Sequence, residues 1–224
     1  MKKHRLSTRL WHWLNLWALA VLFMSGLNIS NAHPHLYWGQ WGFDPRTAWL
    51  NAWTFPGWAT IPGYYSLGDA RSWHLLFAWL FGVGLVVFLL IALANRHLWR
   101  DIVTRRKEWR WAEIRGDIAA HLRLDFHHGT GKYNFLQKLA YGLVLFILLP
   151  LMLLTGLAIS PGSDAAFPWL IELFGGRQSA RSIHFVVAWS LFAFLVIHVV
   201  LVLLSGPIRQ IGDMITGGRS DEAA

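Results

Sequence analysis

The stretch RSIHFVVAWSLFAFLVIHVVLVLLSGP, Arg181–Pro207, decides the fold. From Ile183 to Gly206 it holds no Asp, Glu, Lys or Arg. As a helix rising ~1.5 Å per residue it is long enough to cross a ~30 Å hydrocarbon core. It carries two histidines, His184 and His198, fourteen residues apart. At ~100° per residue, fourteen steps return to within about 40° of the start, and the two rings lie ~21 Å apart along one helix face. An ionisable side chain inside a membrane helix is costly and points to function. The plainer reading is a pair of interfacial histidines snorkelling on a bundle helix.

Working outward, three more segments have the same character, which gives transmembrane helices at about 9–30, 71–95, 136–160 and 180–207. Their apolar cores, 10–29, 73–94, 139–159 and 183–206, hold no Asp, Glu, Lys or Arg. The composition agrees, since 55% of the 224 residues are hydrophobic, only 14% are charged, and 15 are Trp. That excludes a soluble globular domain. The expected fold is an all-α, up-down-up-down four-helix membrane bundle. The charged N-terminus lacks a small-residue cleavage site after its apolar run, so the first segment is read as a retained helix. With no Cys, disulfides, thiolate metal sites, iron–sulfur clusters and covalently attached haem are excluded.

Lys and Arg set the orientation. The N-terminus, the 96–138 stretch and the C-terminus carry sixteen of them, against four (Arg46, Arg71, Arg177, Arg181) on the other side. Both termini and a 96–135 loop are therefore expected in the cytoplasm, with loops 31–70 and 161–179 outside. The net charge of +8 is this topology signal rather than a nucleic-acid footprint, because the basic residues flank membrane spans.

The second and fourth helices begin alike, RSWHLLFAW (71–79) against RSIHFVVAW (181–189). The first and third share Ser25-Gly26-Leu27 and Thr155-Gly156-Leu157 near their outer ends. This reads as a weak parallel repeat, which brings His74 and His184 to equal depth. It is imperfect, with Phe88 standing where a counterpart of His198 would fall. His12 and His198 both belong to the cytoplasmic half. Four intramembrane histidines thus sort into two pairs by depth, as two bis-histidine b-type haems stacked across a membrane require.

Arginine precedes histidine by three residues at Arg9/His12, Arg71/His74 and Arg181/His184. A residue at i, i+3 shares the helix face one turn nearer the interface. A guanidinium suits the carboxylates of haem propionates. Ordinary positive flanking accounts for Arg9 but poorly for Arg71 and Arg181, which stand on the side that should lack positive charge. Asn134 and Gln137, one turn apart at the inner interface, can cap the third helix or hydrogen-bond a quinone carbonyl. In the Trp-rich outer loop, Asp44 to Trp53 is expected as a short interfacial helix with Trp49 and Trp53 one turn apart. It would lie on the bilayer or cover a cofactor and receive a partner. His33 and His35 are read as loop residues, and His127 and His128 as solvated. A surface helix is expected around 114–124.

Together, RLWHW (9–13), the RSxH helix starts, the His184/His198 spacing and KYNxxQK (132–138) resemble the bacterial dihaem cytochrome b family. That family includes membrane subunits of nickel–iron hydrogenase and formate dehydrogenase, thiosulfate-reductase cytochrome b subunits, and cytochrome b561-type proteins. The outer loop and the stretch over 160–184 are most similar to the thiosulfate-reductase-like, molybdoenzyme-associated branch. The resemblance implies His74 and His184 on an outer haem, His12 and His198 on an inner haem, and a quinone site at Asn134 and Gln137. It further implies an electron conduit in the bacterial inner membrane between the quinone pool and a periplasmic redox protein, a molybdoenzyme or similar.

Three other readings remain open at this stage. One is a quinol-dependent reductase passing electrons from the outer haem to ferric iron or superoxide. Another is a transporter with a histidine proton relay. The third is an anchor without cofactor. Glycines 26, 82, 84, 142 and 156 permit close packing against a helix, a haem or another protomer, so a homo-oligomer is also open.

Overall fold

The computed structural model describes residues 5–95, 102–104, 106–123 and 134–218. His127, His128, Lys132 and Tyr133 lie outside the described residues, as do Lys2 and Lys3. Four long apolar helices dominate: α1 (Leu6–Ala32), α2 (Leu67–Ala94), α4 (Phe135–Ile159) and α7 (Arg177–Leu204). Between them lie a two-stranded antiparallel sheet, β1 (His35–Leu36) with β2 (Leu50–Asn51), and helices α3 (Trp111–Leu122), α5 (Pro161–Ala166) and α6 (Trp169–Leu173). A last helix, α8 (Pro207–Thr216), follows α7. The architecture is that of a four-helix, multi-pass membrane protein.

Each long helix has a local reason for its ends. α1 stops before His33-Pro34, because a residue preceding proline is pushed out of the helical region. α2 is capped by Ser66, whose Oγ accepts from the Asp69 N–H at 3.3 Å, and Asp69 complements the positive helix end. α4 starts in a capping box between Asn134 and Gln137, and the Asp117 carboxylate of α3 accepts from the Phe135 N–H at 2.8 Å. Within α4 the hydrogen bonding widens to a π turn over Val144–Leu148. Pro150, two residues beyond it, has no N–H to continue the ladder.

The chain packs as two units. One comprises residues 13–84 and 149–192; the other comprises the described residues of 1–12, 85–148 and 193–224. All four long helices run through both. Small polar residues lie inside, with Ser25, Asn28, Thr155 and Ser182 fully buried, while Trp17, Trp79, Leu90 and Ile197 are exposed. Apolar outside and small polar inside suits hydrocarbon rather than water around the helices.

In the first unit, the segment between α1 and α2 is held by side chains rather than by helix. Asn28 Nδ2 donates to the Pro62 and Tyr64 carbonyls at 3.0 and 2.9 Å. Asn31 exchanges two hydrogen bonds with the Phe55 backbone. The interfacial helix expected from Asp44 to Trp53 does not form. A 3₁₀ turn over Pro45–Thr47 gives way to β2, and the Trp49 and Ala52 N–H groups donate to the Leu36 and Pro34 carbonyls. Cross-strand pairing takes the backbone donors a helix would need, so the i, i+4 tryptophan spacing is overridden. The start of α7 is tied to the same segment. The Gly39 carbonyl accepts from Gln178 and Ser179 N–H, which satisfies helix donors that have no intrahelical partner. Gly176 has φ 114°, and a Cβ there would meet Gly39 backbone atoms at 2.5–2.6 Å, so only glycine fits that approach.

In the second unit, Lys138 Nζ pairs with Glu108 Oε1 at 2.5 Å, and Trp109 packs edge-on against Phe135. Arg9 Nε donates to the Met214 carbonyl at 3.3 Å, which fastens α1 to α8.

Candidate functional site

Four histidines project from three of the long helices, and their rings meet in two pairs, His74 with His184 as the repeat suggests and His12 with His198 as their depth suggests. His74 of α2 and His184 of α7 lie in the first unit, with ring centres 6.3 Å apart and planes at 64°. His12 of α1 and His198 of α7 lie in the second, with ring centres 6.3 Å apart and planes at 63°. Two imidazoles joined through one nitrogen each, in line, to a single metal ion would place their centres ~6.2 Å apart, from two metal–nitrogen bonds of ~2 Å and two ring radii of ~1.1 Å. Both pairs match that separation. Among the described residues no group of three or more His, Cys, Asp or Glu gathers around one point. Each pair thus brings two imidazoles together with no third ligand-type side chain among the described residues.

Each pair has its own supports. His74 Nδ1 lies 3.0 Å from Ser25 Oγ, and His184 Nδ1 lies 2.9 Å from Thr155 Oγ1. The adjoining glycines make room for the rings. A Cβ on Gly26 would stand 3.6 Å from His74 Cε1, and one on Gly156 would stand 3.3 Å from His184 Cε1. In the second unit, His198 stacks on Phe194 at 6.0 Å and 13°, and Phe194 meets Tyr141 edge-on. The Ser-Gly and Thr-Gly pairs were visible in the sequence as a repeat of small residues. Their hydroxyls as imidazole partners were not, because each partner sits on a different helix.

The arginines behave differently from one another. Arg181 donates through Nη2 to the His35 carbonyl, while its buried Nε–H has no hydrogen-bond partner. A half-buried guanidinium whose buried Nε–H is an unused donor fits a carboxylate such as a haem propionate. Arg71 is exposed at the start of α2. Arg9 uses its Nε on Met214. His33 belongs with this group, a connection its place in the loop did not reveal. Partial burial, then the charges of Arg181 and Arg71, hold its imidazole below the usual histidine range.

Asn134 and Gln137 take the capping role. Asn134 Oδ1 accepts from the Gln137 N–H at 2.8 Å, and Gln137 Oε1 accepts from the Asn134 N–H at 3.4 Å. The cap uses their carbonyl oxygens, not their NH₂ groups.

Known proteins resemble this chain over most of its length. The chain is 29% identical over 196 residues to the putative protein-methionine-sulfoxide reductase subunit YedZ1 of Azospira oryzae, covering 88% of this chain and 87% of that protein. It is 25% identical over 225 residues to the probable Ni/Fe-hydrogenase B-type cytochrome subunit of Cupriavidus necator, covering 95% and 84%. The subunit of the same name in Azotobacter vinelandii is 26% identical over 227 residues, covering 94% and 85%. No solved structure matches. The family model for prokaryotic cytochrome b561 matches residues 3–217, and the chain accordingly belongs to that family, the b-type cytochromes that move electrons in membranes through haem.

Proposed function

We propose that this cytochrome carries two b haems, with His74 and His184 on the outer iron and His12 and His198 on the inner iron. The observation that supports this most is the repeated 6.3 Å ring separation of the two histidine pairs. A bound haem supplies one-electron exchange between ferrous and ferric iron. The chain supplies the rest. Its paired imidazoles would each supply one nitrogen to an iron. Arg181, with its unused Nε–H, and Arg71 bind the outer propionates. The segment between α1 and α2, fastened to α7 through Gly39 and Ser182, keeps bulk water from the outer site.

On this reading both termini are cytoplasmic and the protein sits in the bacterial inner membrane, as the Lys and Arg distribution favours. Electrons pass between a redox enzyme on the periplasmic side and quinone on the cytoplasmic side. The names of the relatives, a hydrogenase cytochrome and a methionine-sulfoxide reductase subunit, favour an enzyme partner over a free small oxidant. The likeness of the outer loop to the thiosulfate-reductase-like branch favours a molybdoenzyme. Asn134 and Gln137, at the inner end of α4 and within the KYNxxQK stretch, are the residues assigned to a quinone carbonyl on this reading.

A dithionite-reduced minus air-oxidised spectrum with a pyridine haemochrome count tests the reading. The expected result is two b haems per chain, with one lost in His184→Ala and one in His198→Ala. Both haems retained in either variant, or a single haem per chain in the wild type, would overturn the pairing.

A further inference from the structure

Ser25 and Thr155 each have one hydroxyl hydrogen, and the surroundings say where it goes. Ser25 Oγ lies 2.6 Å from the Val21 carbonyl oxygen and 3.1 Å from that of Leu22. Thr155 Oγ1 lies 2.7 Å from the Leu151 carbonyl and 3.2 Å from that of Met152. A carbonyl only accepts, so each hydroxyl donates to its own helix backbone. The hydroxyl oxygen is then left as an acceptor, and its contact with the imidazole requires His74 and His184 to donate from Nδ1. The opposite assignment would press a hydroxyl oxygen against a carbonyl oxygen at 2.6–2.7 Å with no hydrogen between them. With the proton on Nδ1, the lone pair is on Nε2, the atom a metal takes.

Mid-helix Ser and Thr bond back to the preceding turn in many helices, which alone would mean little. Here the same arrangement occurs twice, on α1 toward a histidine of α2 and on α4 toward a histidine of α7. Each time it comes directly before a glycine whose missing Cβ leaves space for the ring. Each imidazole therefore ends a chain of bonds from N–H to hydroxyl to carbonyl, in which every member polarises the next.

We propose that Ser25 and Thr155 are paired positioning residues that fix the Nδ1–H tautomer of His74 and His184 and raise the basicity of Nε2. The inference rests on the reading that these two histidines hold one haem. A more basic ligand favours ferric over ferrous iron, so the two hydroxyls hold the midpoint potential of that haem down.

The test uses full-length protein in membranes, with haem counted per chain and potentials read by spectroscopic redox titration and low-temperature EPR. In the Ser25→Ala/Thr155→Val double variant, one of the two haem components is expected to titrate at higher potential. A change of about tenfold in its ferric-to-ferrous ratio corresponds to about 59 mV for one electron. The other component is unmoved, and the ferric EPR signal of the affected haem shifts as its rings lose their orientation. Ser25→Thr and Thr155→Ser, which keep the hydroxyls, restore both readouts. A titration superimposable on wild type with both haems present would overturn the proposal. So would haem loss in Thr155→Val that Thr155→Ser also shows. His74→Ala separates the two levels of the argument. If it retains both haems, the ligand assignment itself fails, whatever the hydroxyl variants do.

Discussion

The Trp49 indole N–H donates to Ser182 Oγ at 3.0 Å, and that hydroxyl donates in turn to the Tyr37 carbonyl at 2.6 Å. Ser182 is fully buried and stands two residues before His184. The segment between α1 and α2 is thus pinned to the helix turn that presents a candidate ligand. Trp49→Phe keeps most of the aromatic packing against Trp38 and removes the hydrogen bond. A net loss of about 1 kcal/mol is expected at that attachment. It should appear as roughly fivefold faster limited proteolysis within residues 33–66, with haem content unchanged. Cleavage at the wild-type rate would show that the indole does not hold the segment.

The four spans and the two histidine pairs were legible because their signals are local and strong. Some twenty apolar residues without charge read as a span in any context, and a histidine within one stands out against hydrocarbon. The segment over 44–53 was misread because tryptophans one helical turn apart look amphipathic, while the competing partner, the 34–36 backbone, is distant in sequence. The capping role of Asn134 and Gln137 was legible from their three-residue spacing. The bond from Thr155 to His184 was not, since nothing in a list of residues says which face of α4 meets α7.

Gly26 and Gly156 occupy equivalent places in the repeat, yet the space beside them differs. A Cβ at Gly26 would make ordinary contact with His74 at 3.6 Å, whereas at Gly156 it would press on His184 Cε1 at 3.3 Å. In a helix interior, glycine to alanine favours the helix by about 1 kcal/mol. Both variants should therefore fold at least as well as wild type if the rings do not object. Gly26→Ala is expected to keep wild-type redox behaviour. Gly156→Ala is expected to shift the potential of one haem or weaken its retention. Equal effects at the two sites, read by the same redox titration, would contradict the distances.

His33 supplies a pH-dependent element outside the spans. Partial burial and the Arg181 and Arg71 charges lower its pKa. The unfolded segment therefore takes up a proton at higher pH than the folded one, and folding of the segment weakens as pH falls through the ordinary histidine range. Below the lowered folded value both forms are protonated and the dependence ends. Hydrogen exchange over residues 33–66 should show protection declining on acidification across that window, and His33→Gln should flatten the decline. Arg71→Ala removes one of the two charges and should move the His33 titration back toward its ordinary value. An unmoved titration would mean that Arg71 does not act on His33.

The two uses of Asn134 can be separated by substitution. A serine at this position retains an oxygen that can accept from the Gln137 N–H, so the helix cap survives, but the NH₂ group is gone. Alanine removes both and should cost about 1 kcal/mol at the start of α4. If the amide serves only the cap, Asn134→Ser will match wild type in quinone-linked turnover, and only Asn134→Ala will lose stability. If its NH₂ group also meets a quinone carbonyl, as proposed, Asn134→Ser will lower turnover with thermal stability and both haems intact. The second outcome is expected. It would appear as a raised apparent KM for quinone, because the lost hydrogen bond weakens binding before it touches electron exchange at the haems. Wild-type kinetics in Asn134→Ser would remove this residue from the quinone site and leave it as a helix cap.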